Sequence, residues 1–153
     1  MNIRNYHLFG AISLIMYIAS FFFYAYYDEG IKNGIYGGVC FMNGLVFLLP
    51  VIIMDLYNLS MDYLWIIIWL ANPLYWYAAL YYYRHQYNRG GNYILAAIGL
   101  GLSFLLVKDV GYGNVTTNSY VIGEKLFGYY LWLASFLVLF IALFKHSLMQ
   151  DDK

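Results

Sequence analysis

The stretch from residue 63 to residue 83 limits the possible folds more than any other part of the chain. It holds 21 residues without a formal charge, about the ~20 that an α-helix needs to cross ~30 Å of hydrocarbon. Pro73 follows Asn72 near its middle, and because proline has no N–H and its ring opposes the preceding turn, the sequence predicts a kink there. Asn72 shares a helical face with three tryptophans, Trp65, Trp69 and Trp76. An unpaired amide is costly in lipid, so this face is expected to look into protein.

Composition places the whole chain in the same class. Hydrophobic residues make up 63% and charged residues 10% of its 153 residues, whereas soluble domains carry roughly 25% charged residues. The apolar runs cover about 7–27, 35–57, 63–83, 93–107 and 126–144. The sequence therefore predicts an all-α integral membrane protein, a single transmembrane domain with four to five transmembrane helices, of which one is short or broken. We expect a homo-oligomeric bundle, with a tetramer as the first expectation, because a chain this small makes a pore most naturally as an oligomer.

The second apolar run, 35–57, is irregular. Glycines and a proline interrupt it, at Gly37, Gly38, Gly44 and Pro50. One interpretation is that the glycines let helices pack closely within one subunit. The other is a broken or re-entrant element that lines a cavity, since irregular backbone at membrane depth needs protein or water around it. Under the second interpretation Asn43 is a candidate pore-lining group, together with Asn72.

Two carboxylates flank the connection of the second and third runs, one near the end of the second run and one just before the third, without a basic residue near them. Asp55 and Asp62, repeated around an oligomer, would form a ring of negative charge of the kind that attracts cations to a pore mouth. In a single copy the same residues would belong to a solvated loop. Both interpretations stay open, and the first makes Asp55 and Asp62 candidate pore residues.

The basic cluster at 84–92 also has two interpretations. Lys and Arg concentrate in the cytoplasmic loops of membrane proteins, which explains Arg84 and Arg89 without any ligand. Alternatively, the two guanidinium groups bind a phosphate or a lipid head group, and Tyr83 and Tyr87 stack on bases. The second interpretation predicts a nucleotide or oligonucleotide ligand at a cytoplasmic loop.

The orientation of the chain follows from the same charges. Models with four and with five spans both divide the basic residues five against three. In both models the larger group includes the 84–92 loop and the C-terminal end, so the positive-inside rule places these in the cytoplasm. We expect a multi-pass protein of the bacterial inner (plasma) membrane.

One tetrapeptide is similar to a motif of ion channels. Val110, Gly111, Tyr112 and Gly113 read VGYG, as in potassium-channel selectivity filters, where backbone carbonyls replace the hydration shell of the ion. Lys108 and Asp109 stand where the filter motif has threonines. A tyrosine between glycines is also typical of a surface turn. The motif therefore indicates a filter-like segment or an ordinary turn.

Catalytic and metal-binding motifs are absent from the sequence. The three histidines lie far apart and do not form an HExxH motif. The serines do not stand in a nucleophile elbow, and the single cysteine excludes an internal disulfide. We therefore expect no enzyme activity, no cofactor and no metal.

Two stretches resemble known proteins: WLANPLYWYAAL at 69–80 and GYYLWLASF at 128–136. They resemble a loose group of small, mostly uncharacterised bacterial inner-membrane proteins with an ANPL span and a YxLWLAS final helix. In size and architecture the chain is also similar to the membrane effectors of anti-phage defence systems such as Hailong. In those systems a partner enzyme makes a nucleotide signal and a channel depolarises the cell. The resemblance implies a ligand-gated channel with a partner protein from the same operon.

The leading functional prediction is a homo-oligomeric ion channel or pore, acting as a ligand-gated effector that depolarises the membrane. It depends on small size, broken apolar runs, paired carboxylates and small-residue packing faces. The alternative is a non-conducting accessory subunit that binds a partner protein through its aromatic faces.

Overall fold

The computed structural model describes the backbone of residues 4–29, 32–54, 64–107, 109–110 and 120–151, and the side chains of 7–29, 32–46, 67–107 and 123–145. The chain is mostly helical, with a small sheet. The helices are α1 (Arg4–Ser20), α2 (Gly37–Met54), α3 (Leu64–Trp69), α4 (Ala71–Tyr83), α5 (Tyr87–Ser103) and α6 (Phe127–Asp151). The strands are β1 (Tyr24–Asp28), β2 (Asn33–Tyr36), β3 (Asp109–Val110) and β4 (Tyr120–Lys125).

Helices α1 and α4 run antiparallel in a four-helix bundle. Near the start of α1, Gly10 lies against the ring of Tyr82, near the end of α4. Near the end of α1, the Tyr17 hydroxyl donates a 2.9 Å hydrogen bond to Asn72, near the start of α4. A glycine at position 10 is required by this approach, because a Cβ there would lie 2.6 Å from Tyr82.

Helices α5 and α6 complete the bundle and are also antiparallel. Gly90, early in α5, packs against Leu143, late in α6, and the Tyr129 hydroxyl, early in α6, donates to the Gly101 carbonyl, late in α5, at 2.9 Å. The start of α1, the α4–α5 turn and the end of α6 thus share one end, called here the turn end. The strands lie at the other end, called here the sheet end.

The sheet was not expected from the sequence. Its order is β2-β1-β4-β3, and all its pairs are antiparallel. The tyrosines at the end of the first apolar run, 7–27, lie in β1, because α1 ends at Ser20. Tyr24 stacks on Tyr36 of β2 with ring centroids 4.2 Å apart, and aromatic residues suit a pleated surface. The protein is therefore helical with a small sheet, and not all-α.

The kink expected in the third run is present as a break at Leu70, between α3 and α4. Pro73 has no N–H to donate to the carbonyl of Trp69, four residues earlier. That carbonyl accepts a hydrogen bond from the Asn72 side-chain amide instead, at 3.0 Å. The side chain that precedes the proline thus satisfies the backbone group that the proline leaves without a donor.

The fourth run is longer than the sequence indicated. Helix α5 begins at Tyr87 and a 3₁₀ turn extends it through Leu106, so the loop expected at 84–92 is reduced to three residues. The chain reverses at His85, whose φ is 58°. The apolar run 93–107 is therefore only the later part of this helix, because the polar residues at the start of α5 belong to the same helix.

Aromatic rings close the centre of the bundle. Tyr75 stacks between Tyr17 and Phe136, with ring centroids 4.5 and 5.1 Å away. All three side chains are fully buried. These three rings fill the centre of the described bundle, so a pore of the predicted kind would have to form between subunits.

Helix α2 lies outside the bundle and is attached at the sheet end. The Gly37 N–H donates to the Phe23 carbonyl at 2.9 Å and the Gly38 N–H to the Phe21 carbonyl at 3.0 Å. Gly44 lies directly against the indole of Trp69. These glycines therefore pack within one chain, as the first interpretation of the irregular run expects.

Candidate functional site

A cavity of about 400 Å³ lies at the sheet end, between α2 and the bundle. The rest of its wall comes from β1 and β2, the ends of α1 and α5, the start of α6 and the junction of α3 with α4. Aromatic side chains dominate it: Phe21, Tyr26, Phe41, Trp69, Phe104, Tyr129 and Trp132. Its polar side chains are fewer: Ser20, Asp28, Asn43 and Asn72. A mostly apolar wall with a few convergent polar groups is typical of a small-molecule site.

Asn72 is the centre of a hydrogen-bond network beside this cavity. Its Oδ1 accepts from the Tyr17 hydroxyl and from the Trp132 indole N–H, each at 2.9 Å. Two donors on one atom identify that atom as the amide oxygen. The Nδ2 group donates to the Trp69 carbonyl. One side chain, only 6% exposed, thus joins α1, α4 and α6, and it looks into protein as the sequence predicts.

Trp69 fixes the outer wall of the cavity. Its indole N–H donates to the Phe41 carbonyl of α2 at 3.0 Å, and its ring lies 5.9 Å from that of Phe41, centroid to centroid. Trp69 therefore ties α2 to the junction of α3 with α4, where Asn72 also lines the cavity.

A second polar network lies deeper in the bundle. The Ser13 hydroxyl donates to the Ser135 carbonyl at 2.8 Å. Because its single proton is used there, the Tyr75 hydroxyl must donate to the Ser13 oxygen, also at 2.8 Å. Within the described residues, no buried side-chain N or O atom lacks a hydrogen-bond partner. These groups are therefore part of the scaffold that supports the cavity.

Two charged groups lie in or near the wall. Asp28, at the end of β1, lines the cavity and is only 2% exposed. Lys125, at the end of β4, donates to the Val107 carbonyl at 2.9 Å, and its ammonium lies 4.5 Å from the ring centroid of Phe104. Burial lowers the pKa of the Lys125 ammonium below its usual value. In the described part of the chain, no group of three His, Cys, Asp or Glu side chains is placed to hold a metal ion.

The structure brings together two of the predicted pore residues. Asn43 of α2 and Asn72 of α4 line the same cavity. Asp55 and Asp62 lie outside the described residues. Of the filter-like segment, Val110 is in β3 and pairs with Tyr120, while Gly111, Tyr112 and Gly113 lie outside the described residues.

The predicted ligand-binding residues lie at the turn end, remote from the cavity. Arg84, Arg89 and Tyr83 are exposed there. Tyr87 is only 7% exposed, its hydroxyl is 2.6 Å from Nδ1 of His85, and its ring packs on Tyr82. The basic surface thus offers two guanidinium groups and one tyrosine ring to a ligand.

Sequence reasoning missed most of the cavity wall. No local pattern in the sequence indicates that Asp28, at the end of β1, is buried. Trp132 lies in the YxLWLAS stretch, which indicated architecture and not a site. Their proximity depends on the pairing of distant elements.

Comparisons with protein-family models, with curated proteins and with solved structures find no match for this chain. The resemblance to inner-membrane proteins and defence effectors therefore stays a prediction, and any proposal about function depends on the site itself.

Proposed function

We propose that the protein is an integral membrane protein whose bundle crosses the bilayer four times. Two helices, Tyr87–Leu106 and Phe127–Lys145, are long and apolar enough to cross a membrane. Only 22% and 44% of their apolar windows are buried, whereas the core helix of a soluble protein is mostly buried. Large apolar side chains such as Ile15 and Leu95 are exposed around the bundle, which favours a lipid environment. Helices α1 and α4 pack antiparallel to their neighbours in the same bundle, so the proposal counts them as two further crossings.

This topology places more positive charge at the turn end. Among the described residues, the turn end has Arg4, Arg84, Arg89 and Lys145. Among the same residues, the sheet end has Lys32 and Lys125. The positive-inside rule therefore orients the turn end toward the cytoplasm.

Cysteine labelling tests the four-crossing topology. In a Cys40→Ser background, Asn33→Cys at the sheet end is expected to react with a membrane-impermeant maleimide in spheroplasts. Gln86→Cys at the turn end is expected to react only after the membrane is opened. Both native residues are exposed. The cysteine-free protein is the blank, and labelling of both positions from the same side would contradict four crossings.

The function that the geometry supports best is the binding of a small amphiphilic molecule from the membrane. This proposal rests on one observation: the cavity and a neighbouring groove share part of their walls. A groove of about 320 Å³ between α2 and α4 has Phe41, Trp69 and Asn72 in common with the cavity. The rest of the groove is apolar or aromatic: Leu45, Pro73, Trp76, Tyr77 and Leu80.

The two spaces differ in the chemistry that they offer. The cavity has a carboxylate and two amides among its aromatic rings, at the sheet end. The groove opens on the outer face of the bundle, where Trp76 and Leu80 are exposed. An amphiphile would place its polar head in the cavity and its hydrocarbon chain in the groove. Ligand pockets commonly measure ~300–1,000 Å³, a range that includes both spaces.

Filling the cavity is expected to abolish binding. Asn43→Phe adds a ring to the cavity wall, whereas Met42→Phe adds one at the neighbouring, exposed position of α2 that does not line the cavity. Titration with 12-bromododecan-1-ol should quench tryptophan fluorescence in a saturable way, because the bromine is at the end of the chain that lies in the groove, close to Trp76. We expect Met42→Phe to keep the saturable component and Asn43→Phe to lose it. Quenching of the unaltered protein that rises only linearly, as by partitioning into detergent, would overturn the proposal.

The predicted ion channel remains a separate proposal. It requires a pore between subunits, since aromatic rings fill the centre of the described bundle. Ion leak from liposomes containing the purified protein, followed with a potential-sensitive dye, is the measurement that tests it.

A further inference from the structure

We infer that the head group bound in the cavity is cationic, an ammonium group on a single alkyl chain. This inference rests on the proposed function, the binding of an amphiphile in the cavity and groove. Three features of the described wall support it: its charge, its aromatic rings and the use of its hydrogen-bond donors.

The first feature is charge. Among the described residues that line the cavity, Asp28 is the only one with a formal charge. Its carboxylate is almost completely buried, so water screens its field weakly. Asp28 also interacts within the protein, but a carboxylate offers about four acceptor positions, so an internal contact is compatible with a further bond to a ligand. The wall thus attracts positive charge.

The second feature is the aromatic rings. The electron-rich faces of tryptophan and tyrosine attract cations, and tryptophan does so most strongly. Trp69, Trp132 and Tyr129 all line the cavity. Behind the wall, Phe104 already binds the Lys125 ammonium in this way. An ammonium head group would meet the same kind of surface inside the cavity.

The third feature is that four of the hydrogen-bond donors in the described wall are already used. The indole N–H groups of Trp69 and Trp132 donate to the Phe41 carbonyl and to Asn72 Oδ1. The hydroxyls of Ser20 and Tyr129 donate to backbone carbonyls. A phosphate or sulfate head group needs such donors or a basic side chain. Lys125 is not among the lining residues, and its ammonium is bonded to Val107.

Three probes with the same chain test the head group. Decyltrimethylammonium, decyl sulfate and 1-decanol, each below its micelle concentration, compete with 12-bromododecan-1-ol for the unaltered protein. We expect decyltrimethylammonium to bind about tenfold more tightly than 1-decanol, the size of effect that a desolvated cation–π contact supports, and decyl sulfate to bind most weakly. This selectivity needs no variant, so it decides the question even if a substitution prevents folding.

A matched pair of variants assigns the selectivity to one carboxylate. Asp28→Asn should weaken decyltrimethylammonium binding about tenfold and leave 1-decanol binding unchanged. Glu29→Gln makes the same change of charge at the adjacent, exposed residue, which does not line the cavity, and should alter neither. If 1-decanol binds in a saturable way and the ammonium probe is not preferred, the cationic head group is overturned and the proposed function stands. The same holds if Asp28→Asn leaves the preference for the ammonium probe unchanged. No saturable binding of any probe overturns both.

Discussion

Replacement of Asn72 by leucine is expected to lower the free energy of unfolding by about 2–3 kcal/mol. The substitution removes the acceptor of Tyr17 and Trp132 and the donor to the Trp69 carbonyl. A buried polar group left without a partner costs ~1–3 kcal/mol, but hydrogen bonds in membrane proteins average only ~0.6 kcal/mol because the unfolded chain also finds partners. Three hydrogen bonds are lost, and a cost for each near the lower of these limits gives the expected total. Unfolding in mixed micelles with increasing sodium dodecyl sulfate measures it.

The control for this prediction is Asn92→Leu. Asn92 is exposed on α5, so the same chemical change there should shift stability by less than 0.5 kcal/mol in magnitude, roughly the limit for surface substitutions. A second comparison isolates the network. Tyr17→Phe should cost less in the Asn72→Leu background than in the unaltered protein, because its hydroxyl has by then lost its acceptor. Equal costs in the two backgrounds would show that the two side chains are not coupled.

Replacement of Gly128 by alanine is expected to destabilise the sheet end by about 2 kcal/mol, within the ~1–3 kcal/mol that overpacking usually costs. A Cβ at this position would lie 2.6 Å from the Phe23 carbonyl oxygen and 2.8 Å from that of Tyr24. The Phe23 carbonyl cannot move away freely, because it accepts the N–H of Gly37 at the start of α2. The strain should therefore affect α6, β1 and α2 together. The same unfolding titration measures the loss.

Gly99→Ala is the matched control, and it should have the opposite sign. A Cβ at Gly99, within α5, meets nothing within 4 Å, so alanine adds helix propensity of up to ~1 kcal/mol without a clash. A loss at Gly99 as large as that at Gly128 would mean that any added methyl group is harmful. Packing of α6 on β1 would then not explain the glycine at 128.

The sequence predicted the parts of the fold that depend on local chemistry. The apolar runs are mostly helical in the structure, and the break before Pro73 follows from the N–H that this proline lacks. The inward orientation of Asn72 also follows from the cost of an unpaired amide in lipid. Two expectations failed at run ends. Tyr24 belongs to a strand and not to the first helix, and the polar residues that follow Gln86 begin α5 instead of extending a loop.

The sheet could not be predicted in the same way. Strand β1 pairs with β4, as in Asp28 with Ile122, and the two strands lie almost at opposite ends of the chain. Each is short, and each adjoins an apolar run that reads as a continuing helix. Pairing between such distant segments depends on the helices that bring them together, so a local pattern contains little information about it.

The sequence by itself determined the helical class of this protein, its apolar surface, the break before Pro73 and the need of Asn72 for hydrogen-bond partners. Each of these depends on residues within a few turns of one another. Only the tertiary structure decided which partners those are. Tyr17, Trp132 and the Trp69 carbonyl meet Asn72 because antiparallel helices align them. The cavity also depends on the tertiary structure. Asp28 and Asn43 line it together with Asn72 only when the strands pair and the glycines of α2 pack on the end of α1.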